Sequence, residues 1–187
     1  VNMDIYAPNA PGSYAVVLFQ HGFNLGTEAY ASLLEQLASH GFIVVAPQMY
    51  EAGFLPLGTP TAFEERDLSL DIIDWMEESL AEVTALDARV EQLGIAGHSR
   101  GGRIAWMIHE ADPDLALGLV GLDPVDGNQT DPSEALVTDA IDVDVPSLVL
   151  GTGLGPIPVN SPGGLVPACA PAGVNHEVFY ESALTPA

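Results

Sequence analysis

The chain has 187 residues, 48% of them hydrophobic, with 26 acidic side chains against 4 basic ones and a formal net charge of -22. Length and apolar content exclude a disordered tail and fit one domain with a full core. The charge excludes a general binder of nucleic acid, which needs clustered Lys and Arg, and argues against docking on anionic lipid.

There is no lysine; the fixed cations are Arg66, Arg89, Arg100 and Arg103. The carboxylates are uneven: four lie in residues 1–60, twenty in 61–144, and then only Glu177 and Glu181 follow. Most of them read as a solvated outer face. Asp139, Asp142 and Asp144 lack the Gly and distal Glu of a calcium loop, so no metal site is expected there. The one cysteine, Cys169, excludes an internal disulfide and a cysteine-based zinc site. No run of about 18 apolar residues occurs, so no membrane span is expected. No signal peptide is visible, although a start without Met on strand-like residues leaves room for a removed leader.

In chain order, Val1, Met3 and Ile5 alternate with polar neighbours as a strand does. Pro8–Ser13 reads as a turn, and Ala15–Phe19 as a strand buried in a parallel sheet. Tyr30, Leu33, Leu34, Leu37 and Ala38 follow helical spacing, with Thr27 as N-cap and Gly41 as stop. Phe42–Ala46 is a second buried strand, ended by Pro47. Residues 51–60, with Gly53, Pro56, Gly58 and Pro60, form a loop. Thr61 and Glu64 fit a capping box, after which Leu68, Ile72, Trp75, Met76 and Leu80 share one helical face. Leu93–Ala96 reads as a short strand, Arg100–Glu110 as a helix, and Leu115–Leu122 and Val145–Leu150 as further strands. The alternation implies an α/β fold with a mostly parallel central sheet and helices on both faces.

Gly97-His98-Ser99-Arg100-Gly101 is a Gly-x-Ser-x-Gly motif between a strand and a helix, the setting of a nucleophile elbow. Such a turn strains the serine backbone, so small residues must flank it: Gly97 and Gly101 give room, and Gly102 lets the helix approach the sheet. Ser99 then presents its hydroxyl at a helix N-terminus, where negative charge is favoured. An oxyanion hole needs two backbone N–H groups. One is expected from Arg100 and the other from Phe23, in the loop Gln20-His21-Gly22-Phe23-Asn24. His21 is expected to hold that loop, and His98 to point away across the turn. The acid is expected at a strand end on the Ser99 edge. That favours Asp123, with Asp126 as the alternative, because no carboxylate follows Leu150 before Glu177. Gly151–Gly155 follows a strand, but Pro156 stands where a dinucleotide motif needs its third glycine, so no cofactor is expected. A triad also needs a histidine; beyond residue 150 the sequence offers His176 alone.

His21-Gly22-Phe23-Asn24, Ser39-His40-Gly41-Phe42 running to Ala46-Pro47-Gln48, Gly97-His98-Ser99-Arg100-Gly101-Gly102 and Gly121 through Gly127 together resemble chlorophyllases. The Gly-Thr-Gly-Leu-Gly run and Cys169 through His176 fit as well. The resemblance covers most of the chain, in order. It implies the α/β-hydrolase fold, hydrolysis of the phytyl ester of chlorophyll, a Ser-Asp-His triad, and neither metal nor cofactor. The family serine matches Ser99 and its aspartate Asp123. The family histidine follows the Asn-His pair, here Asn175 and His176, at a distance that puts it beyond Ala187. Residues 1–187 then read as a single domain incomplete at both edges; the explanations for the missing histidine are a trimmed or disordered C-terminus, a nicked protein, or His176 filling in as base. The expected partner is a small hydrophobic ester. The rivals are a broader carboxylesterase, lipase or polyester hydrolase, and a non-catalytic binding module that has lost its base.

A net charge of -22 strains the folded state by self-repulsion, and salt screens it. The melting temperature is therefore expected to rise between low and molar NaCl. A fall over that range would show that repulsion does not limit stability.

Overall fold

The computed structural model describes residues 1–51, 59–127, 143–161 and 164–182. Its centre follows from alternation along two buried strands. In β2 (Ser13–Gln20), Val16 and Leu18 face one side of the sheet and Val17 and Phe19 the other. In β3 (Phe42–Gln48), Ile43 and Val45 join the first side, Val44 and Ala46 the second. Each side must be covered, which forces helices onto both.

The six-stranded sheet has the order β1-β3-β2-β4-β5-β6, with β1 (Asn2–Tyr6), β4 (Asp87–His98), β5 (Gly118–Leu122) and β6 (Ser147–Leu150). Only β1 runs antiparallel to its neighbour, β3. Helix α1 (Ala31–Ser39) covers one face through Leu34. On the other face α2 (Ala62–Thr84) brings Ile72, Ile73, Met76 and Leu80, and α3 (Arg100–Ala111) brings Ile104 and Trp106. Trp106 meets Phe179 of α4 (His176–Ser182) edge to face, at 5.5 Å between centroids. A separate hairpin pairs β7 (Val159–Ser161) with β8 (Gly164–Val166). The α/β architecture read from the sequence is thus the one observed. Among the described residues no helix is long and apolar enough to cross a membrane.

Several elements differ from expectation for local reasons. Strand β4 has 12 residues rather than the short run Leu93–Ala96. Its first half pairs with β2 at Ser13–Ala15, then the register jumps from Arg89 to Leu93 across a bulge. Strand β5 pairs only with Gly94–His98, so the earlier part tolerates polar residues and hides from an apolar-run criterion. Strand β3 continues through Pro47 because its ladder with β2 ends at Val45, and Pro47 need not donate there. Thr27 opens a turn of 3-10 helix (Thr27–Tyr30), and its hydroxyl bonds Asp4 instead of capping α1. The Thr61–Glu64 capping box is present at the start of α2. Helix α4 was not expected; the Asn175 side-chain oxygen accepts the Glu177 N–H at its first turn. Gly53, Pro56, Gly58, Asp139 and Asp142 lie outside the described residues.

Candidate active site

The end of β4 meets the start of α3 at Ser99, whose φ of 53° and ψ of -119° are strained for any residue with a side chain. Packing imposes that bend. A Cβ on Gly97 would lie 2.3 Å from the Gly101 carbonyl, and one on Gly101 would lie 2.2 Å from the Gln20 oxygen. Gly102 is bare for a different neighbour than expected: a Cβ there would meet Pro124, 2.8 Å away, in the loop after β5. The Ser99 N–H donates to Leu122 O at 3.0 Å, and Ser99 O accepts the Val125 N–H at 3.1 Å. The elbow is therefore tied by its backbone to the segment that carries Asp123.

Asp123 follows the last residue of β5, with φ of 41° and its N–H on Leu150 O at 2.7 Å. Thr152 holds the carboxylate twice, through its N–H at 2.8 Å and its hydroxyl at 2.5 Å. His176 Nδ1 lies 3.6 Å from Asp123 Oδ1. The ring rests against bare backbone, for a Cβ on Gly151 would fall 2.1 Å from its Cδ2 and Nε2. Asp126, the alternative acid, is buried, and its N–H bonds Val174 O at 2.8 Å. Sequence reasoning missed Thr152. The available signal was that β6 ends two residues before it, on the edge where β5 delivers Asp123.

The loop after β2 is held from several sides. His21 is buried; its Nδ1 donates to Gly22 O and its Nε2 accepts the Met49 N–H at 3.0 Å. A nitrogen that accepts an N–H carries no proton, so the ring is neutral in this arrangement; burial also lowers its pKa, with the Gly22 carbonyl partly opposing. Gly22 to Leu25 forms a turn, with Leu25 N–H on Gly22 O and Asn24 at φ 58°. Tyr30 Oη accepts the Gly22 N–H at 2.9 Å and shares a hydrogen bond with His98 Nδ1 at 2.7 Å. His98 is thus engaged away from Ser99, and burial lowers its pKa against the pull of Asp123. Tyr50 Oη accepts the Asn24 N–H at 3.1 Å. The N–H groups of Gly22, Asn24 and Leu25 are all used; among the described residues none accepts that of Phe23. Arg100 opens α3, where a helix offers its first N–H groups no internal acceptor. The Arg100 guanidinium lies 5.8 Å from the Phe23 ring centroid and bonds Glu65 Oε1 and Pro60 O.

Ser99, Asp123, Arg100 and Phe23 are therefore carried on strand ends and loops at one edge of the sheet. Among the described residues no histidine nitrogen is hydrogen-bonded to Ser99 Oγ. His40 is exposed and bonds Gln36 O, while His109 is buried 3.5 Å from Asp144. Leu154, Ile157, Val159 and Leu165 are exposed. No group of three or more His, Cys, Asp or Glu placed to hold a metal occurs among the described residues.

A parallel sheet with one antiparallel outer strand and a strained serine between its fourth strand and the next helix defines an α/β hydrolase. Est1E from Butyrivibrio proteoclasticus shares this fold with a TM-score of 0.52 at 22% identity, over 65% of this chain and 46% of that one. The chlorophyllase family model matches residues 2–187, and the chain belongs to that family. It is 38% identical to chlorophyllase-1 of Arabidopsis thaliana, over 95% of this chain and 56% of the relative. It is 36% identical to the chloroplastic chlorophyllase-1 of Citrus sinensis, over 94% of this chain and 52% of the relative. The chain thus spans about half the length of the curated relatives it matches.

A histidine kept neutral by burial leaves the folded state with fewer bound protons than the unfolded one below the ordinary histidine pKa of about 6.5. His21 therefore contributes stability that is full above that pH and declines as pH falls through it. The slope of unfolding free energy against pH, from about 7 to about 5.5, is expected to be shallower in His21→Gln. Equal slopes would show that His21 is not held neutral.

Proposed function

We propose that this chain is the nucleophile-bearing part of a serine ester hydrolase that cleaves the phytyl ester of chlorophyll to chlorophyllide and phytol. The observation that carries the reading is the strained Ser99 backbone, tied by hydrogen bonds to the segment that presents a doubly held Asp123. Membership of the chlorophyllase family supports the ester.

In this mechanism Ser99 Oγ attacks the ester carbonyl carbon and gives its proton to a histidine. The carbonyl oxygen becomes an oxyanion, held by the N–H groups of Phe23 and Arg100. Collapse breaks the bond to the alcohol oxygen, which takes the proton from the histidine and leaves as phytol. Water, deprotonated by the same histidine, then attacks the acyl-serine; chlorophyllide leaves and Ser99 regains its hydrogen. Asp123 orients the imidazole and stabilises its charged form. In this reading the base is a histidine C-terminal to residue 187, and His176 is a neighbour of the acid. The 3.6 Å approach to Asp123 favours the second reading, with His176 as base.

The test uses the full-length protein. Incubation with a fluorophosphonate is expected to label Ser99 stoichiometrically, and chlorophyll a to yield chlorophyllide; Ser99→Ala is expected to abolish both. Absence of labelling would favour a non-catalytic module. Turnover of nitrophenyl or polyester substrates without turnover of chlorophyll would favour a broader esterase. His176→Gln is expected to retain activity within about tenfold, whereas a loss of about 10³-fold or more would make His176 the base. Thr152→Val removes one bond to the Asp123 carboxylate and is expected to lower kcat about tenfold, as measured with chlorophyll a. Unchanged kcat would show that the backbone N–H alone suffices to hold the acid.

A further inference from the structure

Glu65 is a carboxylate in the interior, 2% exposed, on the first turn of α2. Burying a charge is costly unless it is paired, and burial pushes this carboxyl above its ordinary pKa while Arg100 pulls it back. Neighbouring residues also fix the helix there. Ser69 Oγ donates to Glu65 O, and Gln20 Nε2, at the end of β2, donates to Ser69 Oγ at 3.0 Å. The partner is the side chain that follows Ser99. Arg100 reaches Glu65 Oε1 through Nε at 2.8 Å and Nη2 at 2.6 Å, and Nη2 also donates to Pro60 O at 2.6 Å.

Fixed by these bonds, the guanidinium lies by the Phe23 ring, 5.8 Å from its centroid. Phe23 is half exposed, so its ring has few other neighbours; one is Tyr50, 6.1 Å away, which also binds the Asn24 N–H. The residue whose N–H would be one oxyanion donor thus supports, with its side chain, the residue whose N–H would be the other. Two donors converge on one oxygen only if the elbow and the loop after β2 keep their spacing, and misplacement of a preorganised donor is costly in rate.

We propose that the pair of the buried Glu65 and the partly buried Arg100 is a positioning device for the oxyanion hole, with the Phe23 ring as the surface it acts on. Glu65 is the positioning residue; it touches no substrate and acts through Arg100. A lysine would keep the charge but lose the planar fork that meets carboxylate, carbonyl and ring together. The proposal rests on the ester-hydrolase reading.

The experiment measures kcat and KM of the full-length protein, together with inhibition by an alkyl boronic acid, which adds to the serine and places an oxygen in the hole. Glu65→Gln, Arg100→Lys and Phe23→Ala are compared with Arg66→Gln, whose exposed ion pair with Asp67 on the same helix serves as control. Loss of a whole oxyanion donor costs about 10²–10³-fold, so displacement is expected to lower kcat about 10- to 100-fold in the three variants. KM is expected to stay within about threefold, and boronate affinity to fall in step with kcat/KM. Phe23→Ala removes an exposed ring and is expected to fold even if a variant in the Glu65–Arg100 pair does not. Folded Phe23→Ala and Glu65→Gln enzymes with kcat near wild type, or losses in KM alone, would overturn the proposal. Wild-type turnover that survives Ser99→Ala would instead remove the reading beneath it.

Discussion

The backbone of α3 presses against the end of β2 with no room for a side chain between them. A methyl group at position 101 would sit inside van der Waals contact of both the Gln20 and His21 carbonyl oxygens. Much of the site depends on that approach. It brings the first turn of the helix alongside the loop after β2, and it compels Ser99 to turn within a single residue. The strain at Ser99 is held by neighbours: Gly97 and Gly101 give way, and Leu122 and Val125 take up its N–H and carbonyl. A sheet packed less closely would let the serine relax and aim its hydroxyl elsewhere.

Electrostatics follow the same economy. In a chain with a net charge of -22 and four arginines, Arg100 is placed where it neutralises a buried carboxylate rather than where it would offset surface acid. The two histidines nearest the elbow, His21 and His98, are both driven toward the neutral form by burial, and each has a ring nitrogen engaged by the loop after β2 or its support. Proton-transfer capacity is thereby withdrawn from the inner side of the site. On the outer side, Asp123 and His176 remain partly open to solvent.

What was legible in the sequence depended on how local its cause was. Ser99 was readable because glycine spacing, a preceding strand and a following helix all lie within a few residues. Asp123 was readable because a strand end fixes its edge. Thr152 and His176 were harder, because their meeting with Asp123 depends on β6 lying beside β5 and on Gly151 being bare, neither of which the residues around Asp123 encode. The first half of β4 escaped notice because a bulge and a one-sided ladder removed its apolar signature. Pro47 misled because its missing donor matters only where a neighbour needs one.

Strand β6 has one neighbour in the described sheet, and it displays Leu148 and Leu150 half exposed within a stretch, residues 145–176, that carries no Asp, Glu, Lys or Arg. Proteins commonly guard an outer strand with a charge or an inserted proline, and within Ser147–Leu150 there is neither. Approach of one such molecule to another is opposed by long-range repulsion between strong negative charges. Screening that relieves crowding of charge within one molecule also removes the barrier between two. Ionic strength thus acts in two senses, relieving repulsion within one molecule and also between two.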